Sequence, residues 1–279
     1  MRKLIYFHVG TLKTGTTTIQ QILSEDPRVE LSLHSRWYNT EKYNSKPKEV
    51  FTNSAAQVWI ESDENIARKI NEKLGLAVSL KRIKKDYPEA HIVYTIRDQF
   101  SAINSMYKHF IRHTFSSMSL GEFLQSDFGN SYLETLLYDD VYKTIQEEFD
   151  KSSIHFFNAN TLFSNPQIFI NAFYQELFGF KPVDCFEEVF ENKGFSSDDT
   201  AVKKWLNSLV FWRNEEIVNP RELKVSDALT QNIAKIKKAS TLENIQKLKV
   251  YPELMEKFKK SNEFLRSTYG EDFLDKKYV

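Results

Sequence analysis

The sequence predicts an α/β fold in which a central parallel sheet of about five strands is flanked by helices in three layers. Short apolar runs alternate with helical segments through roughly residue 180, and this alternation is typical of parallel sheets. A glycine-bearing turn directly follows the first run. No repeat, low-complexity tract or Gly-, Ser- or Pro-rich linker divides the 279 residues. We therefore expect a single domain over 1–279, with a helical C-terminal portion over about 197–279.

The individual elements follow from the period of the apolar residues. Strands are expected at KLIYFHVG (3–10), VELSL (29–33), AQVWIES (56–62), AHIVYTIR (90–97) and SIHFFNA (153–159). Helices are expected over 16–23, 64–88 with a break near Gly75, 99–113, 132–150 and 166–180. Stop signals stand at Asp26-Pro27, Pro88 and Gly179. Because ligands of such sheets bind beyond the carboxyl ends of the strands, residues at those ends are the first site candidates.

Composition narrows the functional classes. The formal net charge is +0, so no strong field favours nucleic acid or a membrane surface. The one cysteine, Cys185, excludes an intramolecular disulfide and fits a reducing compartment. No apolar run is long enough to span a bilayer, and MRKLIYFHVG enters a strand without a signal-peptide pattern. We expect a soluble cytoplasmic protein that binds neither nucleic acid nor membrane; its oligomeric state stays open.

The stretch HVGTLKTGTTTIQ, near the start of the chain, is nearly a P-loop but carries its lysine elsewhere. Gly10 and Gly15 keep the glycine spacing of G-x-x-x-x-G-K-[ST], and Thr17 matches its last position. The lysine position, however, is Thr16, and the lysine of this loop is Lys13. A strand, a turn and a helix start still predict an anion site, because N–H groups and the helix dipole converge there.

This loop resembles the signature of the sulfotransferases that use 3′-phosphoadenosine 5′-phosphosulfate (PAPS), in the residues Lys13-Thr14-Gly15-Thr16-Thr17. That family also carries an Arg at the end of a later strand and a Ser eight residues on. HIVYTIRDQFSAINSMY supplies Arg97 and Ser105 at this spacing. The resemblance implies a P-loop-like sulfotransferase fold, PAPS as donor, and binding of its 3′-phosphate by Arg97 and Ser105. Taken singly, Arg97 could instead pair with Asp98, and Ser105 could be a solvated helix residue.

Further segments are similar to the family more weakly. ENKGFSSDD lies where cytosolic members carry a basic-Gly loop over the nucleotide, which implies donor contacts from Lys193 and Gly194; an ordinary surface loop is the alternative. The family often has an acidic residue after the last strand, where this chain has Asn158 and Asn160. KKSNEFLRSTYGEDF looks like the closing helix of bacterial members that modify glycans.

The resemblance implies in-line transfer of a sulfuryl group, with Lys13 neutralising the bridging oxygen as it leaves and without a metal. The acceptor hydroxyl needs a general base. Glu64 and then Asp63, after the third predicted strand, are the preferred candidates, and His34 after the second strand is the rival. Glu64 could instead be a helix-start charge, with Ser62 or Asp63 as N-cap. His34 could be an exposed loop residue.

The acceptor is expected to be a saccharide, or another small hydroxyl- or amine-bearing molecule. Lys108, His109, Arg112 and His113 of one predicted helix could hold an anionic glycan, or could form the wet face of an amphipathic helix. His109 and His113 lie at i, i+4, which is a weak zinc signal without further ligands. Two other functions stay open. A P-loop kinase would require magnesium and ATP, and a non-catalytic member would only bind nucleotide or glycan.

Overall fold

The computed structural model describes residues 4–33, 38, 40, 55–68, 74–114, 116–183, 197–211, 245–274 and 278. Within them, five parallel strands pair in the order β2-β3-β1-β4-β5. Their bounds are β1 (Leu4–His8), β2 (Val29–Ser32), β3 (Val58–Ser62), β4 (His91–Ile96) and β5 (Ile154–Asn158). From the central strand β1 the chain passes to the edge strand β2, returns to β3 beside β1, and then crosses to β4 and β5 on the other side. The carboxyl ends of β1, β3 and β4 then meet at one edge, where doubly wound sheets bind their ligands.

Helices alternate with the strands along the chain, which confirms the predicted α/β class. They are α1 (Thr16–Glu25), α2 (Leu76–Asp86), α3 (Gln99–His113), α4 (Leu120–Gln125), α5 (Asp127–Glu134), α6 (Tyr138–Gln146), α7 (Ala159–Ser164), α8 (Pro166–Phe178), α9 (Ser197–Phe211) and α10 (Tyr251–Tyr269). Alternation along β1 separates the two faces of the sheet. Tyr6 belongs to the core cluster formed with α1 and α8, whereas Phe7 packs edge-on against Tyr38 and tilted against Tyr87.

Two predicted helices are shorter than expected. The segment expected over 132–150 divides into α5 and α6, because Tyr94 Oη donates to the carbonyl oxygen of Thr135 at 2.9 Å. That carbonyl therefore accepts from the sheet, and the chain turns before α6 begins. The segment expected from residue 64 begins as one 3₁₀ turn, Glu64–Ala67, and the α-helix follows only after Gly75. Residues 69–73 between them lie outside the described residues.

The chain divides into two compact units. The first unit comprises Met1–Gln99, Ser131–Glu191 and Met255–Val279 and contains the whole sheet. The second comprises Phe100–Asn130 and Asn192–Leu254. Within the second unit, the buried amide of Asn207 on α9 donates to the carbonyl oxygens of Ile111, Thr114 and Ser116 and so caps the end of α3. The single domain expected from the sequence stays a prediction.

A histidine pair joins the amino-terminal halves of β4 and β5. His91 Nδ1 lies 3.0 Å from His155 Nε2, and His155 Nδ1 lies 3.1 Å from Glu176 Oε1 on α8. Because the carboxylate only accepts, His155 carries its proton on Nδ1, and His91 donates to the free Nε2. Burial and the neighbouring His155 lower the pKa of His91 below its ordinary value. His91 is therefore held in its neutral form.

We expect acid to weaken the fold through this pair. A histidine whose pKa is lower in the folded state than in the unfolded chain contributes stability above about pH 6.5, and this contribution is lost as the pH falls through the folded pKa. His91→Gln should therefore reduce the loss of unfolding free energy between pH 7 and pH 5. Urea unfolding followed by circular dichroism at several pH values measures this. The exposed His113 provides the control, since His113→Gln should leave the slope as in the wild type. An unchanged slope in His91→Gln would contradict the assignment.

Candidate anion-binding site at the carboxyl end of the sheet

The loop between β1 and α1 has the backbone geometry of an anion site. Lys13 and Gly15 both adopt the left-handed conformation, with φ of 71° and 84°. Gly15 is the N-cap of α1, and no side chain of the described residues caps the helix there. The first turn is Thr16-Thr17-Thr18 and contains no acidic residue. Its N–H groups and the positive end of the helix dipole therefore face a position that an anion can occupy.

Both glycines of the loop are required by close neighbours. A Cβ on Gly10 would lie 2.4 Å from Thr95 Oγ1, at the carboxyl end of β4. A Cβ on Gly15 would lie 2.5 Å from Leu162 Cδ2 on α7. The two glycines therefore mark the two points at which the loop passes close to β4 and to α7.

Arg97 connects the two sequence motifs. It follows β4 directly, and its Nη1 donates to the carbonyl oxygen of Lys13 at 3.0 Å. The guanidinium lies 4.6 Å from the ring centroid of Phe163, a side chain of α7 that is half exposed. Its Nε is buried and has no hydrogen-bond partner among the described residues. Burial lowers the pKa of Arg97, although it stays far above neutral pH. The site therefore contains a fixed cation with an unused donor.

The threonines of the loop divide between structural and available hydroxyls. Thr14 is fully buried; its Oγ1 donates to the carbonyl oxygen of Thr11 at 2.6 Å and lies 2.7 Å from Thr95 Oγ1. Thr16 is 5% exposed, and within the described part of the chain its Oγ1 has no hydrogen-bond partner. Thr17 is exposed. Thr14 therefore holds the loop in shape, whereas Thr16 and Arg97 both have polar atoms available to a ligand.

The base candidates after β3 differ in their surroundings. Asp63 is buried, and its Oδ1 accepts from Asn65 N at 2.9 Å and from Asn65 Nδ2 at 2.6 Å, so it is the N-cap of the 3₁₀ turn. Glu64, the first residue of that turn, is partly exposed. Glu61, inside β3, is 1% exposed. The capping role therefore belongs to Asp63, and Glu64 is the more exposed carboxylate of the two.

Four predicted site residues lie outside the described part of the first compact unit. His34, Lys193 and Gly194 lie outside the described residues. Ser105 lies on α3, within the second compact unit, and is partly exposed. The roles expected for these four residues stay predictions.

Other residues of the site were not identified from the sequence. Tyr132 Oη donates to the carbonyl oxygen of Leu12 at 3.0 Å, and Thr135 Oγ1 lies 2.7 Å from Thr11 Oγ1. Tyr138 Oη donates to the carbonyl oxygen of Arg97 at 2.5 Å. These hydroxyls lie at the junction of α5 and α6, in a segment that no sequence motif marks as functional. The turn that separates the two helices is the structural reason that they reach the loop.

Asn158, at the end of β5, is hydrogen-bonded both to the start of α7 and to the C-terminal segment of the chain. Asn158 Oδ1 accepts from Asn160 N at 3.0 Å and from Tyr278 Oη at 2.8 Å, and Asn158 Nδ2 donates to the carbonyl oxygen of Phe273 at 3.1 Å. Asn158 thus accepts two hydrogen bonds and donates one. An amide can do both, whereas a carboxylate cannot donate. This requirement explains why residue 158 is an amide and not an acidic residue.

A cavity of about 370 Å³ lies between the start of α2 and the α5–α6 junction. Its lining is mainly aliphatic, with Glu134, Asp140 and two threonines as polar members. One of these threonines is Thr135, which also contacts the loop through Thr11. Its volume and lining are those of a small-molecule site.

In the described part of the chain, no three His, Cys, Asp or Glu side chains lie close enough together to bind one metal ion. None of the helices described is both long and apolar enough to cross a bilayer.

The fold is similar to that of known sulfotransferases. A sulfotransferase from Alicyclobacillus acidocaldarius matches with a TM-score of 0.53 and 15% identity, over 77% of this chain and 98% of that chain. Mouse sulfotransferase SULT7A1, solved in complex with PAP, matches with a TM-score of 0.40 and 15% identity, over 96% and 90%. Sulfotransferase STF9 from Mycobacterium avium matches with a TM-score of 0.39 and 12% identity, over 87% and 78%.

The similarity to the Alicyclobacillus acidocaldarius structure defines the class of fold. No protein-family model and no curated protein matches the chain. With TM-scores under 0.5, the mouse and mycobacterial structures add nothing to the argument. The first match establishes a sulfotransferase-like α/β fold, in which a five-stranded parallel sheet is flanked by helices.

We expect Gly15→Ala to destabilise the protein by about 2–4 kcal/mol, since it combines the cost of a left-handed alanine with the contact to Leu162. Gly179 is a matched control, because its φ is 73° and nothing lies within 4 Å of an added Cβ. Gly179→Ala should cost only about 1 kcal/mol. Urea unfolding of both variants measures the difference. Equal costs would show that α7 moves away from the loop without penalty.

Proposed function

We propose that this protein is a sulfotransferase that transfers the sulfuryl group of PAPS to a hydroxyl or amine of an acceptor. The single observation that carries the proposal is the hydrogen bond from Arg97 Nη1 to the carbonyl oxygen of Lys13. It brings the arginine of the second motif to the loop of the first, beside the helix start that no described side chain caps. Two anion-binding elements thus lie together, as a donor with phosphates at its 3′ and 5′ positions requires.

Each side chain of the loop has a role in this proposal. The N–H groups of Gly15, Thr16 and Thr17 and the hydroxyl of Thr16 bind the 5′-phosphosulfate, because they end at the positive pole of α1. Arg97 binds the 3′-phosphate with the N–H groups that Lys13 does not use. Thr14 shapes the loop from beneath. Ser105, Lys193 and Gly194 complete the donor site in the proposal, on the strength of the sequence resemblance.

The reaction balances without a redox partner. The acceptor oxygen or nitrogen forms a bond to sulfur, and the bond from sulfur to the 5′-phosphate oxygen breaks. The electron pair stays on that oxygen, where Lys13 neutralises the growing charge. The acceptor proton passes to a base, for which Glu64 is the first choice because Asp63 caps the 3₁₀ turn. His34 remains the rival. We propose that no metal takes part, since Lys13 and Arg97 supply the positive charge.

We propose that the acceptor is a saccharide. We also propose that the enzyme acts in the cytoplasm. Support comes from the second unit, where α3 carries Lys108, His109 and Arg112, all partly exposed. The mainly aliphatic cavity of the first unit favours a second candidate, a small alcohol or amine with an apolar body. An acceptor screen separates the two candidates, because an enzyme with the second type of acceptor should sulfate apolar alcohols, whereas an enzyme for saccharides should not.

The direct test is turnover with labelled PAPS, with and without a chelator, against panels of saccharides and small alcohols. Sulfation that persists in the chelator supports the proposal. Magnesium-dependent phosphate transfer from ATP would instead establish the kinase, which Thr16 in the lysine position argues against. Binding of adenosine 3′,5′-bisphosphate without transfer to any acceptor would favour a non-catalytic member of the fold.

Arg97→Ala should weaken binding of adenosine 3′,5′-bisphosphate about tenfold to a hundredfold, and binding of 5′-AMP much less. The reason is the loss of a charge-assisted contact worth about 1.5–3 kcal/mol. Titration calorimetry measures both ligands. Arg82 is a matched control, because its Nη1 also anchors backbone, donating to the carbonyl oxygens of Tyr38 and Thr40 at 2.8 Å. Arg82→Ala should leave the preference for the bisphosphate unchanged. Equal losses of both ligands in Arg97→Ala would remove Arg97 from the 3′-phosphate site.

Lys13→Gly and Lys13→Ala should separate the chemistry of Lys13 from its strain. Both remove the ammonium, so kcat should fall by a factor on the order of 10²–10³, with a smaller loss of bisphosphate binding. Only glycine relieves the left-handed backbone at φ 71°. Lys13→Gly should therefore be about 1 kcal/mol more stable than Lys13→Ala. Turnover and urea unfolding measure the two effects. Normal turnover in either variant would exclude Lys13 from catalysis.

A further inference from the structure

We propose that His8 is a positioning residue that orders the donor-binding loop through its Nε2 side only. The inference rests on the proposed function for its ligand, but its geometry is independent of it. His8 is the last residue of β1, and its side chain is fully buried between the neighbouring strands β3 and β4. Its Nδ1 lies 2.9 Å from Ser62 Oγ, and its Nε2 lies 3.2 Å from Thr95 Oγ1.

The donor and the acceptor of each hydrogen bond in this network can be assigned by starting from Thr14 in the loop. Thr14 Oγ1 donates its one hydrogen to the carbonyl oxygen of Thr11 at 2.6 Å, because a carbonyl only accepts. In the contact between Thr14 and Thr95, at 2.7 Å, the donor must then be Thr95. The hydroxyl hydrogen of Thr95 is thereby used, so Thr95 Oγ1 accepts from His8. His8 is therefore the tautomer that carries its proton on Nε2.

The Nδ1 side of the His8 ring completes the hydrogen-bond network. With its proton on Nε2, neutral His8 presents a lone pair at Nδ1, which accepts from Ser62 Oγ. Ser62 Oγ in turn accepts from Gln20 Nε2 on α1 at 3.1 Å. Ser62, His8 and Thr95 each donate one hydrogen along this network, and Gln20 Nε2 donates to both Ser62 Oγ and the carbonyl oxygen of Ser62. Burial lowers the pKa of His8 to about 4, so the neutral form that this chain needs is present at neutral pH.

The two arms of the network have different consequences for a ligand. The Nε2 arm runs through Thr95 and Thr14 to the carbonyl oxygen of Thr11, inside the loop that precedes α1. The Nδ1 arm runs through Ser62 to Gln20, which lies beyond the first turn of α1. Loss of either arm removes buried hydrogen bonds, and both losses should destabilise the fold. Only loss of the Nε2 arm frees the loop.

The first experiment compares Thr95→Val with Ser62→Ala. Thr95→Val removes the hydroxyl of the Nε2 arm, and we expect the affinity for adenosine 3′,5′-bisphosphate to fall about tenfold or more, as for loss of a buried hydrogen-bond partner. Ser62→Ala removes the Nδ1 arm and should stay within about threefold of the wild type. Thr95→Ser restores the hydroxyl and should also stay within about threefold, which separates the hydrogen bond from side-chain volume.

The second experiment tests the ring itself with two amides. In His8→Gln the side-chain amide reaches the position of Nε2 and can donate to Thr95, whereas in His8→Asn it reaches only the position of Nδ1. The bisphosphate affinity of His8→Gln should therefore exceed that of His8→Asn by about tenfold, at similar urea midpoints. Affinities that follow stability alone, with no difference between the arms, would overturn the proposal and leave His8 with a purely structural role.

A readout without ligand keeps this inference separate from the proposed function. Amide hydrogen exchange of residues 14–17 should be faster in Thr95→Val and His8→Asn than in Ser62→Ala and His8→Gln. If the wild type failed to bind the bisphosphate, the donor assignment would fall, yet this exchange pattern would still decide the role of His8. Equal exchange in all four variants would overturn it.

Discussion

The hydrogen bond from Arg97 Nη1 to the carbonyl oxygen of Lys13 is the contact on which the arrangement of the site depends. It joins residues 84 positions apart and holds the loop against the end of β4. A guanidinium can do this and still present further N–H groups, because its five donors lie in a rigid plane. Phe163 covers one side of that plane, and Tyr138 accepts from and donates to the backbone of Arg97. The orientation of the cation is therefore fixed from three directions.

The fold was largely predictable, because it follows from short-range patterns. β-branched and aromatic runs gave the five strands, and α3 begins and ends at the expected residues. The glycine spacing and Arg97 were readable for the same reason, since each sits at a strand end. What holds the loop was not readable. Tyr132 and Leu12 are 120 positions apart, and His8 and Thr95 are 87 apart. Contacts at such separations depend on strand order, which a single sequence does not contain.

The acceptor side shows where residue type alone is insufficient. Glu61, Asp63 and Glu64 are chemically similar, and a count along the chain assigns any of them to the base. The backbone distinguishes them, because the chain leaves β3 at Ser62 and turns immediately. Glu61 stays inside the sheet, the carboxylate of Asp63 is used in capping the turn, and Glu64 emerges from it. Which carboxylate is exposed is thus decided by where the strand ends.

The cost of the loop is concentrated at Lys13, which the backbone holds at a positive φ that a non-glycine residue rarely adopts. A glycine there would lower the strain, as Gly15 does two residues on, but it would supply no charge. Strained residues persist only where the surroundings over-determine them. Here Arg97 donates to the carbonyl oxygen of Lys13. The next residue, Thr14, is held by the hydrogen bonds of its hydroxyl to Thr11 and Thr95. The loop thus accepts backbone strain at Lys13, the residue for which we propose a role of the ammonium group in transfer, and the network beneath it keeps that strain from relaxing.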